Sequence, residues 1–291
     1  MTPDKQGLRW GVERRLEFIE FRLYWEGGVN RSDIIDEFGV SVPQASKDLT
    51  LYQEQAPENI EYDKSLKRYF ATRRFQPRFI SLDADSYLQR LATAAESDGS
   101  NPKPSITSLC ADRLPMPQRK IRPDVLRSLL GCVREKGSIE IFYQSMSSIR
   151  PEPLWRKISP HAFGYDGLRW HVRAYCYIDN KFKDFILSRC LGAQSSEPGV
   201  APISDDILWN SNFPVCLAPN PRLAAQQQSV IAEDFGMQNG ETVVPVRKAL
   251  LYYFSKRLRL DVAEQFDDPR EAPIVIKNRV DFDLALAEAT K

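Results

Sequence analysis

The sequence predicts an α+β chain of several small domains, on three observations. Apolar residues recur with helical spacing from Val12 to Tyr52, the period switches to two after Gly137, and a proline-rich stretch from Pro198 to Pro221 precedes a short αβ tail. The 291 residues, 42% hydrophobic and 27% charged, suffice for two or three separate cores.

Val12, Leu16, Ile19 and Leu23 form one amphipathic stripe, and Gly27-Gly28 ends that helix. Asn30 caps a second helix, with Asp33 at its positive end and Ile34, Ile35 and Phe38 as its apolar face, until Gly39 stops it. Ser41 caps a third, with Pro43 in the first turn, where a missing N–H costs nothing. Its buried stripe is Ala45, Leu49 and Tyr52, and its other side carries Pro43, Gln44, Ser46, Lys47 and Thr50. Ala56-Pro57 closes it, and the runs Ile60 to Asp63 and Arg68 to Ala71 flank Lys64-Ser65-Leu66-Lys67 as a hairpin with a basic tip. Three helices followed by a basic hairpin is the order of a winged helix-turn-helix.

Leu82 to Glu96 reads as helix, Ser97 to Pro104 as a linker by composition, and Arg122 to Glu135 as a helix with Val125, Leu129, Leu130 and Val133 apolar. From Gly137 onward Ile139, Ile141 and Tyr143 alternate with polar neighbours, as do Leu168, Trp170, Val172, Ala174 and Cys176. Tyr165-Asp166-Gly167 turns Ile158 to Phe163 into the Trp170 strand, and Asp179-Asn180 turns that strand into Phe185 to Cys190. A small antiparallel barrel or strongly bent sheet is implied. Pro198 to Pro221 reads as a second, irregular linker, followed by a strand at Thr242 to Val246, a helix from Ala249 to Leu260 and a strand at Ile274 to Lys277. The expected division is a DNA-binding domain at 1–82, a helical linker with dimer contacts at 83–136, a sheet domain at 137–198 and a dimerising extension at 199–291.

Net charge is +1, so any nucleic-acid surface must be local. From Lys64 to Leu82 the chain carries Lys64, Lys67, Arg68, Arg73, Arg74 and Arg78 and no acid, a patch that phosphates feel within a Debye length of ~8 to 10 Å. Arg31, Lys64, Lys67 and Arg68 are the expected phosphate contacts. Ser41, Pro43, Gln44, Ser46, Lys47 and Thr50 present the groove-facing side, with Gln44 able to donate to and accept from adenine. One such domain reads too few base pairs for a genome, so a two-fold dimer on an inverted repeat, with half-sites roughly 34 Å or a multiple apart, follows.

Five cysteines without a close pair and only His161 and His171 give neither a disulfide framework nor a metal site, and no cofactor is expected. Glycine-rich phosphate loops and Gly-x-Ser-x-Gly elbows are lacking, so no catalytic residues are assigned. No run of ~18 to 20 apolar residues and no signal stretch after Met1 is found, which implies a cytoplasmic protein with no membrane partner.

The middle segment resembles the WYL domain, an Sm-like barrel found in bacterial transcription regulators. Trp170-His171-Val172 stands at the tripeptide that names it, with Ile158-Ser159-Pro160 before the hairpin and Phe185-Ile186-Leu187-Ser188-Arg189 after it. His171 and Val172 depart from the tripeptide's tyrosine and leucine. Arg169 to Tyr175, with Ala45-Ser46-Lys47-Asp48-Leu49 earlier, is similar to the BrxR and CapW group of regulators of phage-defence operons. That resemblance spans nearly the whole chain and implies a homodimeric repressor, with activation or a nucleic-acid-sensing scaffold as alternatives. It also implies a ligand pocket of Tyr143, Gln144, Ser145, Arg169, His171, Arg173, Tyr175 and Arg189, suited to a nucleotide or oligonucleotide effector. An internal or dimer-interface polar network is the alternative for the same residues.

Overall fold

The computed structural model describes residues 10–95, 111–112, 114–198 and 201–290. They fall into two compact units divided between Pro115 and Met116. The composition-based linker Ser97 to Pro104 lies outside the described residues.

In the first unit, α1 (Trp10–Trp25), α2 (Arg31–Phe38) and α3 (Val42–Gln55) enclose Leu16, Ile19, Leu23, Ile34, Ala45, Leu49 and Tyr52, all buried. Asn30 and Asp33 form a reciprocal capping box, and Gly39 closes α2 in the left-handed region at φ 63°. The hairpin β1 (Ile60–Asp63) and β2 (Arg68–Ala71) has the predicted bounds. Val29 pairs with Tyr69 through two backbone bonds of 2.9 Å, which fixes the hairpin to the turn after α1. That approach demands glycine next door, because at Gly28 (φ +132°) a Cβ would stand 2.5 Å from the Tyr69 carbonyl oxygen. The helix α4 (Ala84–Ala95) returns to α1, stacking Tyr87 on Trp25 at 4.9 Å between ring centroids.

A buried carboxylate organises this unit. Glu20, 0% exposed, accepts the backbone N–H groups of Arg78, Phe79 and Ile80 and the Tyr52 hydroxyl. It thereby ties α1, α3 and the strap after the hairpin together, and burial beside it pushes the Tyr52 phenol up.

In the second unit α5 (Pro123–Glu135) packs Val125, Leu129 and Cys132 against a five-stranded antiparallel sheet. Its strands are β3 (Gly137–Tyr143), β4 (Leu154–Tyr165), β5 (Trp170–Cys176), β6 (Lys181–Ile186) and β7 (Cys190–Pro198), in the order β6-β5-β4-β3-β7. β6 and β7 are its two edges and do not pair with each other, so the pairings describe an open sheet rather than a closed barrel. The predicted strand Phe185 to Cys190 is also revised: a 3-10 turn at Leu187–Arg189 separates β6 from β7. Periodicity cannot see such a turn because Phe185 before it, Leu187 within it and Cys190 after it are all buried.

The stretch read as an irregular linker contains α6 (Ile207–Asn210) and β8 (Asn212–Pro219). β8 is the middle strand of a second antiparallel sheet, between β9 (Thr242–Arg247) and β10 (Ile274–Ile276). Proline misled the reading because Pro214 and Pro219 sit in a strand whose pairing tolerates them. The helices α7 (Ala225–Asp234), α8 (Leu251–Arg257) and α9 (Arg279–Thr290) complete the module, with Leu217, Leu251, Leu260, Ile274 and Phe282 in its core. Cys132, Cys176 and Cys190 are buried thiols and Cys216 is half-buried, while Cys110 lies outside the described residues. No described helix is long and apolar enough to cross a membrane.

Candidate nucleic-acid interface and sensor site

Ser41 caps α3 by accepting the Gln44 N–H at 3.3 Å, which starts the helix with its first turn in solvent. Val42, Pro43, Lys47 and Thr50 are exposed, and Gln44 and Ser46 half-buried, so the predicted side is free of the unit's own core. Two hydroxyls are turned inward on the helix: Ser46 donates to the Val42 carbonyl and Thr50 to the Ser46 carbonyl, each at 3.0 Å. Each keeps oxygen lone pairs for an outside donor.

Gln44 donates its amide nitrogen to Asp48 Oδ1 at 3.0 Å. Asp48 is buried and held by Arg15 from α1, Nε to Oδ2 at 2.6 Å. Neither Arg15 nor Asp48 was selected from the sequence. The signal was legible: Asp48 follows Ala45 by three positions on the apolar stripe, where an acid requires a partner.

At the hairpin tip Lys64, Ser65, Leu66 and Lys67 are exposed. Asp63 accepts the Ser65 side chain and the N–H groups of Leu66 and Ser65, which hold its carboxyl below the usual range and set the turn. Lys67 closes the tip in the left-handed region at φ 50°. Arg31 is exposed at the start of α2. Arg68 is half-buried, and its Nη2 donates to the Gly28 carbonyl at 2.7 Å, which supports the hairpin base. Arg73 and Arg78 are exposed, and Arg74 is exposed and paired with Glu58 at 3.1 Å.

The residues expected to form one ligand pocket separate into two groups. Arg169 and His171 both donate to Asp166, at 2.9 and 3.0 Å. Burial raises the Asp166 carboxyl, but the bonds from His171, Leu168 and Arg169 outweigh it and bring it to about 2. Arg173, 4% exposed, grips Asp206 with two bonds of 2.7 and 3.0 Å and reaches Asp184 at 3.3 Å. His161, the extra residue of a β4 bulge between Pro160 and Ala162, shares Asp206 at 2.9 Å. Tyr253 of α8 covers His171 at 4.5 Å and donates to Asp184 at 3.0 Å. These contacts form a polar seam between the outer face of β5-β6 and the C-terminal module, which is the internal polar network expected as the alternative to a ligand pocket for Arg169, His171 and Arg173. Arg173 and Tyr175 also line a cavity of about 850 Å³, whose walls include Asp184, Asp205, Asp206 and Glu288.

Tyr143, Gln144, Ser145 and Arg189 lie instead at the far end of β3. Tyr143 is buried beside Phe185, and its hydroxyl accepts the Ile186 N–H at 3.3 Å. Burial raises this phenol, against the opposing pull of Arg189. The Gln144 N–H donates to the Arg189 carbonyl at 3.0 Å, and its side chain holds the following loop through the Ser145 and Pro151 carbonyls. Nearby, Arg150, Arg156 and Lys183 converge on Asp179, a local excess of positive charge.

A capped helix with a polar outer side, beside a cationic hairpin, defines a protein of the winged helix-turn-helix class. Residues 11–93 match the BrxR transcriptional regulator winged helix-turn-helix domain, and residues 213–282 match the BrxR transcriptional regulator C-terminal dimerization domain. The DNA-binding transcriptional repressor CapW of Escherichia coli (strain KTE188) is 37% identical over 280 residues, covering 94% of this chain and 92% of that protein. CapW of Pseudomonas aeruginosa is 40% identical over 280 residues (96% and 93%), and CapW of Stenotrophomonas maltophilia 39% over 279 (93% and 91%). The chain belongs to this family of BrxR- and CapW-type transcriptional regulators. Among solved structures, proteasome accessory factor B/C (PafBC) of Arthrobacter aurescens matches at 14% identity, covering 95% of this chain and 46% of that one. Its TM-score of 0.28 is too low to bear on the fold, and the chain spans just under half of that protein's length.

Proposed function

We propose that this chain is a homodimeric, sequence-specific DNA-binding repressor of a phage-defence operon. The observation that carries this is the exposed polar side of α3 beside the cationic tip of the β1-β2 hairpin, in a segment matched by the family's winged helix-turn-helix domain. Helix α3 reads base edges, while Arg31, Lys64 and Lys67 hold phosphates and set the register. The module containing residues 213–282 supplies the dimer contacts, so the operator is an inverted repeat. The working division is a DNA-binding domain at 1–82, a helical linker at 83–136, a WYL domain of Sm-like type at 137–198 and a dimerising extension at 199–291.

Repression is relieved by an anionic nucleotide or nucleic-acid end bound in the WYL domain. An anion is served at the end of β3, where Tyr143, Gln144, Ser145 and Arg189 stand beside Arg156, which lies 5.9 Å from the Tyr143 ring and shares Asp179 with Arg150. To act as an inducer it must bind the two states of the dimer with different affinity.

The test is a mobility shift with DNA from upstream of the chain's own gene, scrambled competitor and two salt concentrations. Specific retention that weakens with salt supports the reading, and equal retention of both DNAs overturns it. Adding a short single-stranded oligonucleotide should release the wild type but not Arg189→Ala. Equal release from both proteins would remove the ligand assignment.

A further inference from the structure

We infer that the buried Arg15–Asp48 pair is a specificity-determining device that fixes which way the Gln44 amide faces and so selects the base that Gln44 reads. The inference rests on the proposal that α3 enters a DNA groove.

Arg15 reaches across from α1 and holds both carboxylate oxygens of Asp48, Nε to Oδ2 at 2.6 Å and Nη2 to Oδ1 at 3.2 Å. Its remaining nitrogen Nη1 donates to the Gly11 carbonyl at 2.8 Å, so the guanidinium is itself held in place. The Arg15 side chain is 13% exposed and that of Asp48 2%. With both Asp48 oxygens accepting from the Arg15 guanidinium, the carboxylate offers a neighbour only acceptor lone pairs. Gln44 is therefore bound to turn its NH₂ toward Asp48 Oδ1, as observed at 3.0 Å. Flipping the amide would set two oxygens against each other beside a buried charge.

With that nitrogen anchored, Gln44 presents Oε1 as an obligatory acceptor, next to one remaining N–H. In the major groove only adenine N6 and cytosine N4 donate, and adenine alone adds an N7 acceptor beside its donor. Guanine offers two acceptors there and thymine one, so both leave Oε1 unmatched. The Gln44 position should therefore take adenine first and reject guanine and thymine. Lone pairs on Ser46 and Thr50, whose protons are directed to helix carbonyls, extend the same acceptor character along α3. Asp48 and Arg15 are positioning residues, because neither is placed to touch DNA.

The experiment is selection from a randomised-duplex pool by the full chain, as wild type, Asp48→Asn, Gln44→Met and the double variant. The Gln44 position is the one whose preference disappears in Gln44→Met. Wild type should favour adenine there by about ten-fold or more, the usual worth of a bidentate contact. Asn at 48 both donates and accepts, so Asp48→Asn should reduce that preference to within about two-fold, losing more there than at any other position. The double variant should match Gln44→Met.

A second arm uses wild-type protein alone, so an unstable variant does not decide the matter. Replacing that adenine with purine, which lacks the N6 amine, should weaken binding by about ten-fold, and 7-deazaadenine should weaken it less. Guanine or thymine at the Gln44 position, an undiminished adenine preference in Asp48→Asn, or indifference to purine would overturn the inference while leaving DNA binding intact. A wild-type chain that enriches no motif from the pool would instead remove the DNA-binding reading beneath it.

Discussion

Lys67 and Gln44 stand 23 positions apart in the chain and have opposite jobs in the proposed complex. Lys67→Ala should weaken binding to specific and random DNA alike and lower the salt slope by about one. Gln44→Ala should cost little on random DNA and flatten base preference at one position per half-site; competition assays at two salt concentrations separate the two effects. Glu20 belongs to the same scale but to stability. Glu20→Gln replaces one acceptor oxygen with a donor facing the N–H groups of Arg78, Phe79 and Ile80, and should destabilise the first unit by about 1–3 kcal/mol in chemical denaturation. Caps and hairpin bounds were legible at this scale, because Asn30, Ser41, Gly39 and the Lys64–Lys67 tip each state a local backbone requirement. The partners of Glu20 and the Arg15 partner of Asp48 were not, since each lies more than thirty positions away in the chain.

Between elements, the seam of Asp166, His171, Tyr253, Asp184, Arg173, Asp206 and His161 joins β5-β6 to the C-terminal module. Arg173→Met would leave Asp206 and Asp184 facing each other without a counter-charge, and should cost about 3–5 kcal/mol. This variant should lose stability before it loses any response to a ligand. The seam also makes the unit acid-sensitive. Asp166 and Asp206 sit at about 2 in the folded chain against a usual 3.8, so their contribution is present above about pH 4 and is lost as pH falls through about 2. Each contributes about 2 kcal/mol. Melting temperature should fall steeply over that interval, and Asp206→Asn, already weakened, should fall less; a flat profile between pH 4 and 2 would contradict this assignment.

For the whole molecule, a chain of 33.4 kDa should sediment in solution at about twice that mass, and dilution should weaken operator binding more steeply than one-to-one binding allows. The helices of the first unit and the strands from Gly137 were readable in sequence because their apolar side chains recur on one face, every 3.6 residues in α1 to α3 and every second residue in β3 and β5, even though the polar face of β5 is buried as well. The same rule failed at β8, where prolines sit inside a strand, and at the turn between β6 and β7. Which polar residues meet is a different matter. Arg173 looked free for an anion because Asp206 lies 33 positions ahead, in a stretch without periodicity. Local sequence thus determined the winged-helix order, the caps and the sheet segment, since each depends on neighbours along the chain. Only tertiary packing decided that Arg173 is neutralised and Gln44 oriented, because a buried charge is defined by whatever the fold carries to it.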